Sequence, residues 1–422
     1  MFQVLGQLEQ SQWYREEKIR EIQWQKIKNI IAHAYNHIPY YQKTFARAGI
    51  TPNQIKDYGD LQLIPILTKD DLRKEPHSLV AKTKGFIYTR YFTSGSTGPP
   101  SVVITDRNSE AYRHAAVFRS YRWIGLDIGD KIAKFWGTQL DLRRNIQGRI
   151  GDFLLNRITF STHSLDQKSM FRYYQNLRSF EPKAIYGFAS AIYEFAQFLQ
   201  NRSLPLEKND IKAIIVTGEP IFPYKREIIE NTFKCRVYNN YACEEFATIA
   251  FECPQRSLHL MSENVYVEVE RPENEEGRGN LIITELNNFL MPLIRYRLGD
   301  VGALSNLKCN CGRSLPVLKE ISGRSLDFVK IPNGRIIHGS YFDYLPKYFL
   351  NEIQQFQIIQ ADTNTICVNL IKGKGFNETT IQKFENKLRG VLGDEVRIII
   401  DLKEIIPREN TGKFRFVISK LN

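Results

Sequence analysis

A chain of 422 residues, 42% hydrophobic and 25% charged, exceeds one hydrophobic core and predicts a large domain with a smaller companion. Its 26 phenylalanines and 21 tyrosines exclude a disordered chain, and no apolar run nears the roughly 20 residues of a membrane-spanning helix. The net charge of +12 is dispersed, which suits an anionic ligand and argues against the clustered basic patch of a nucleic-acid-binding protein.

The first residues lack the charged leader and apolar run of a secretory signal, so a cytoplasmic protein without membrane insertion is expected. Residues 14–35 show helical spacing, with Ile19, Ile22, Ile27, Ile30, Ile31 and Ala34 on or near one face. Pro39 ends that helix and a second piece follows to about Ala48, giving a helical leader over 1–50. From 90 to 300, strand-like runs such as "AIYGF" (184–188), "AIIVTG" (213–218) and "LIITEL" (281–286) alternate with helical stretches such as 190–201 and 223–232. That alternation predicts α/β layering with much parallel sheet. "NVYVEVE" (264–270) alternates cleanly and reads as an antiparallel or edge strand. Past 322 come a hairpin near 355–371, a helix at 378–392, a strand at 396–401 and a polar tail. The expected division is 1–322 and 323–422, meeting near "ISGRSLDF".

Five stretches carry polar chemistry. In "TSGSTGPP" (93–100), Gly95 and Gly98 let the backbone bring N–H groups to an anion, and Thr93, Ser94, Ser96 and Thr97 add hydroxyl donors. Taken alone, such a cluster equally suits a solvated turn. In "YNNYACEEF", Tyr241 could stack on a base and Glu245 ligate a divalent cation, although paired glutamates also suit an ordinary surface. In "MPLIRYRLGDVG", Asp300 follows a glycine turn and could accept the hydroxyls of a ribose, or simply sit in a charged β-turn. "SGRSLDF" marks the domain boundary, and "ENTGKFR" presents Lys413 on a glycine-hinged loop.

In order and spacing these stretches, with "TGEPI" (217–221), resemble the adenylate-forming ligases: acyl-CoA synthetases, adenylation domains of peptide synthetases, luciferases. The closest likeness is to the phenylacetate–CoA ligase and coenzyme F390 synthetase branch of CapK type, from about residue 15 to the end. The resemblance implies an α/β fold with a large multi-layered N-terminal adenylate-forming domain and a small mobile α+β C-terminal domain. It implies ATP, with its β- and γ-phosphates on Thr93, Ser94, Ser96 and Thr97. Gly218, Glu219, Pro220 and Tyr241 would line the adenine pocket, and Asp300 would take the ribose hydroxyls with support from Arg324. Glu245 would bind Mg²⁺, and Lys413 would balance charge developing between the acid and the α-phosphate. Ser101, Ala242, Glu244 and Leu326, the last beside Asp327, depart from the family's usual residues.

The resemblance further implies a carboxylic acid as substrate, commonly an aryl or arylacetic acid, with coenzyme A (CoA) as commonest acceptor. "FWGTQ" (135–139), "YGFAS" (186–190) and the run after Tyr241 would wall the acid pocket. One rival stays within the mechanism, passing the acyl group to the amine of an amino acid or amino sugar; a second is a nucleotidyltransferase that puts AMP on a hydroxyl. The oligomeric state, homodimer included, stays open.

Six cysteines in a chain of this length argue against a disulfide scaffold. Cys253, His259, Cys309 and Cys311 form a Cys₃His set suited to tetrahedral structural Zn²⁺. Incidental thiols fit the same spacing, since Cys-x-Cys is not the usual Cys-x-x-Cys knuckle. A similar set in the resembled branch favours zinc.

Overall fold

Glu16 and Glu17 open the helix Glu16–His37, where carboxylates complement the positive end of the helix dipole. Ile19, Ile27, Ile30, Ile31 and Ala34 form its buried face. Ile38, extended because a proline follows, ends it. Pro39 then opens the helix Pro39–Ala48 at a position whose missing N–H has no helical partner to lose.

The structure, a computed structural model, describes all residues except 83–86, 93–100, 138–150, 164, 207–209, 271–276, 325–327, 333, 339–341, 343–344, 346–347, 410 and 422. For 322–324, 328, 336 and 338 it describes the backbone alone. The chain divides into two units. The first comprises Met1–Asp130, Ile211–Gly218 and Tyr238–Ile321; the second comprises Lys131–Asp210, Glu219–Val237 and Ser322–Asn422.

In the first unit the strands run in the order Val265–Glu270, Gly279–Glu285, Tyr296–Ser305, Val317–Arg324, Leu258–Leu260, Ala247–Glu252, Arg236–Cys243, Ala213–Thr217. Val265–Glu270 is an antiparallel edge strand, as its alternation predicts. The expected parallel sheet appears in the second unit, whereas the strands from Arg236 onward depart from it. Arg236–Cys243, Ala247–Glu252 and Leu258–Leu260 pair antiparallel in succession, as do Val265–Glu270 and Gly279–Glu285, because short links between paired strands permit nothing else. Ile27, Ile30 and Phe45 share one buried cluster with Leu281, Ile283, Ile294 and Tyr296. Each such side chain contributes about 1.5–3 kcal/mol by leaving water.

Two buried charged groups of this unit have close partners. The fully buried Arg119 donates to both carboxylate oxygens of Glu263, at 2.7 and 3.0 Å, and to the Leu8 carbonyl. Glu285, also buried, accepts from the Ser109 hydroxyl at 2.8 Å and the Asn288 amide at 3.2 Å. Burial raises its carboxyl from 4.5 to about 7, against the pull of Arg113. Between those values the unfolded chain releases this proton while the folded chain keeps it, so stability falls as pH rises. A Glu285→Gln variant is therefore expected to gain on wild type by roughly 3 kcal/mol across that window, read from thermal unfolding at stepped pH. An unchanged difference would contradict the burial account.

The second unit holds the parallel pairing, with Ile132–Trp136 between Arg157–Ser161 and Ala184–Phe188. Phe135, Phe160, Tyr173 and Phe195 pack ring to ring beneath it. Its four-stranded sheet runs Arg397–Leu402, Thr365–Lys372, Ile353–Asp362, Val417–Ser419. Phe384 and Leu388 of the helix Glu378–Leu392 share a buried cluster with Phe356 and Val368 of that sheet. The expected polar tail is corrected: Val417–Ser419 pairs parallel with Ile353–Asp362, because Val417 is buried with the same core. No helix among the described residues is long and apolar enough to cross a membrane.

Candidate active site

In the first unit the turn after Arg236–Cys243 presents Glu244 and Glu245 before the antiparallel return at Ala247–Glu252. Tyr241 donates its hydroxyl to Asp300 Oδ2 at 2.7 Å. Desolvation, and then the Asp300 charge, push the Tyr241 phenol well above 10, so it keeps the proton it donates. Asp300 follows Gly299, whose φ of 91° lies in the region that favours glycine. Glu245 is buried, and its carboxylate accepts from the Tyr296 hydroxyl at 3.4 Å. A carboxylate, a phenol and a second carboxylate thus share one end of this sheet, an arrangement suited to a sugar hydroxyl and a hard cation.

Sequence reasoning missed Arg113. Its guanidinium donates to the carbonyls of Glu244 (2.8 Å) and Glu245 (2.9 Å) and lies 4.3 Å from the Tyr91 ring centre. The available signal was an arginine among the small buried residues Ala115 and Ala116 of the helix Arg107–Trp123. Tyr91 belongs to the antiparallel pair Tyr88–Phe92 and Val102–Asp106, which flanks 93–100. Thr93, Ser94, Ser96 and Thr97 themselves lie outside the described residues, as do Leu326, Asp327 and the side chain of Arg324.

The second unit positions Lys413. Its Nζ lies 5.8 Å from the Phe188 ring centre, and Phe188 stacks on Trp136 at 4.5 Å. Trp136 also stacks on Tyr186 at 5.7 Å, so Trp136, Tyr186 and Phe188 form one aromatic wall. The Glu219 carboxylate accepts from Ser190 and from the Phe414 N–H (2.8 Å), the residue after Lys413. Gly218, with positive φ, closes the 211–218 segment of the first unit, and both it and Pro220 are exposed. Burial pushes the Glu194 carboxyl up, and its ion pair with Arg408 pulls back.

The ligand atoms of Cys253, His259, Cys309 and Cys311 all lie within 4.8 Å of one another. Cys253 Sγ and Cys309 Sγ are 3.6 Å apart, close to the ~3.8 Å that two Zn–S bonds of about 2.3 Å span at a tetrahedral angle. His259 Nδ1 donates to the Leu315 carbonyl at 2.9 Å, which leaves Nε2 to face the thiols, 3.2 Å from Cys311 Sγ. Backbone N–H groups of Gln255 and Cys311 donate to Cys253 and Cys309 sulfurs. The donor set fits a structural zinc ion.

Residues 329–420 match the model of the CapK C-terminal domain. The protein CapK of Staphylococcus aureus is 24% identical over 409 residues, 95% of this chain and 89% of that protein. A phenylacetate–coenzyme A ligase of Thermus thermophilus is 26% identical over 326 residues, 75% and 72% of the two chains. Among solved structures, a 2-hydroxyisobutyryl-CoA ligase in the postadenylation state with R3-HIB-AMP superposes with a TM-score of 0.78. That match spans 96% of this chain and 90% of the ligase at 22% identity, so it speaks for the fold. The fold is that of the adenylate-forming ligases: α/β, with a large N-terminal sheet domain and a small C-terminal domain. Sequence likeness and fold agree: over most of its length the chain is similar to CapK and the phenylacetate–coenzyme A ligases, and it has the fold of the adenylate-forming ligases.

Proposed function

We propose that the protein joins an aryl or arylacetic acid to coenzyme A by way of an acyl-adenylate. A carboxylate oxygen attacks the α-phosphorus of ATP, pyrophosphate leaves, and the thiol of coenzyme A then displaces AMP at the acyl carbon. The observation that carries the reading is the seating of Lys413 against the Trp136–Phe188 wall, with both of its chain neighbours held. In this reading an ammonium stands beside a flat apolar pocket, where it meets the charge that forms as carboxylate and phosphate approach. Phosphate positioning falls to Thr93, Ser94, Ser96 and Thr97, and adenine to Gly218, the Glu219 backbone, Pro220 and Tyr241. Asp300 takes the ribose with Arg324 in support, and 323–422 is the lid that carries Lys413. A magnesium ion held by Glu245 would offset phosphate charge, and a zinc ion on the Cys₃His set would stiffen the fold without touching the reaction.

ATP–pyrophosphate exchange over a panel of phenylacetate, indoleacetate, benzoate and 2-hydroxyisobutyrate tests the substrate class. Exchange strongest with an arylacetate, followed by coenzyme A-dependent AMP release, is the expected result. Exchange restricted to the aliphatic acid, or AMP release driven by an amine, would contradict it. The Tyr241–Asp300 bond gives a finer test. Tyr241→Phe removes a donor to a carboxylate, worth about 1.5–3 kcal/mol, so the KM for ATP should rise ~10-fold or more with kcat nearly kept.

A further inference from the structure

We infer that Glu219, together with Ser190 and Arg408, positions Lys413 for the adenylation step; the inference rests on the role proposed above for that lysine. The peptide groups on both sides of Lys413 are held from outside its own turn. Before it, the Gly412 carbonyl accepts from the Thr162 hydroxyl and from the Arg408 guanidinium, each at 3.2 Å. After it, the Phe414 N–H donates to Glu219 Oε1 at 2.8 Å.

These contacts close into a ring. Glu219 Oε1 also accepts from the Ser190 hydroxyl at 3.0 Å, and Glu219 Oε2 accepts from the Ser190 N–H at 2.7 Å. The Ser190 hydroxyl in turn accepts from Arg408 at 2.8 Å, the same guanidinium that reaches Gly412. Glu194 takes the other end of Arg408, whose side chain is only 7% exposed. The floor beneath is equally specific. A Cβ built on Gly137 would lie 2.0 Å from the Thr411 carbonyl oxygen, and one on Gly412, where φ is 81°, would lie 2.2 Å from the Thr162 hydroxyl. The loop therefore seats only on glycine, and only one way round.

The chemistry explains why such a ring is needed. Lysine is a flexible point charge, and its benefit to a developing oxyanion falls steeply with misplacement. Fixing the backbone on both flanks removes the freedom that the side chain alone retains. A carboxylate suits the task because one ionised group accepts from Phe414 and Ser190 together, and charge-assisted bonds are the stronger kind. Neither Glu219 nor Arg408 has to touch ATP or the acid for this role.

The test separates two half-reactions. Wild type, Lys413→Ala, Glu219→Ala, Glu219→Gln and Arg408→Ala are assayed for ATP–pyrophosphate exchange with phenylacetate, and for thioester formation from supplied phenylacetyl-adenylate and coenzyme A. Glu219→Ala and Arg408→Ala should lose on the order of 10²-fold in the kcat of exchange, with KM for ATP within about threefold and thioester formation within about twofold. Glu219→Gln keeps an acceptor for Phe414 but loses the one for the Ser190 N–H, and should recover only part of the rate. Hydrogen exchange needs no substrate: the Phe414 amide should exchange ~10-fold faster in Glu219→Ala. Equal losses in both half-reactions, or an unchanged Phe414 amide, would overturn the inference. Retained exchange in Lys413→Ala would instead remove the role given to the lysine. Lost exchange in Lys413→Ala but not in Glu219→Ala would sink the positioning role alone.

Discussion

Lys413→Ala is expected to lower acid-dependent ATP–pyrophosphate exchange by on the order of 10²–10³-fold, the usual loss when one preorganised charge is taken from a transition state. The same variant should turn supplied acyl-adenylate and coenzyme A into thioester at close to the wild-type rate. The asymmetry follows from chemistry. An ammonium is needed while two anions, carboxylate and α-phosphate, are forced together, and no such meeting occurs when a thiol attacks an activated acyl carbon. Nothing else in the loop supplies an equivalent charge at that point: Arg408 is spent on Glu194, Ser190 and Gly412, and Arg415 pairs with Glu409 at 3.7 Å. Lys413→Arg keeps the charge but not the compact head, and should recover only part of the loss. Equal damage to both half-reactions would mean that the lysine serves the fold instead.

The second large effect concerns the Cys₃His set. Purified protein should carry one zinc per chain, and Cys309→Ser or prolonged chelation should remove it. Loss of a structural metal belongs to the exceptional class of destabilisation, on the order of 4–5 kcal/mol, which in a domain of this size lowers the unfolding midpoint by roughly 10 °C. The site joins the end of Ala247–Glu252 and the strand Leu258–Leu260 to the turn that precedes Val317–Arg324. Without the ion, Cys253 would stand fully buried near Cys309 with no metal to hold them. A metal-free protein with an unchanged midpoint would contradict the zinc reading. Conversely, exchange activity in the metal-depleted protein, assayed below its lowered midpoint, should survive, because no ligand of this site belongs to the reacting groups.

Much of the architecture was readable because local rules carry it. The spacing of Ile19, Ile27, Ile30 and Ile31 named a buried helical face, and Pro39 named its end. Alternation in 264–270 named an edge strand. Strand direction was not readable, since it follows from how far apart in the chain two neighbours lie, which no single segment records. Val417–Ser419 escaped notice because three residues are too few for periodicity to show. Within the candidate site, Tyr241, Asp300 and Lys413 stood out as reactive types beside glycine or aromatic residues. Their supports did not. Glu219 meets Phe414 across 195 positions, and Arg113 meets Glu244 across 131, so neither pairing leaves a trace in local spacing. Cys253, His259, Cys309 and Cys311 were identifiable as soft candidate donors, while their closeness came only with the fold.

The central claim is that a carboxylate oxygen becomes bonded to the α-phosphorus of ATP. It is tested most directly by supplying phenylacetate labelled with ¹⁸O in both carboxyl positions, with ATP and coenzyme A, and weighing the nucleotide released. The account predicts AMP carrying one ¹⁸O on its phosphate, because the thiol breaks the acyl C–O bond and leaves that oxygen behind. Unlabelled AMP, or label on inorganic phosphate released beside ADP, would contradict it.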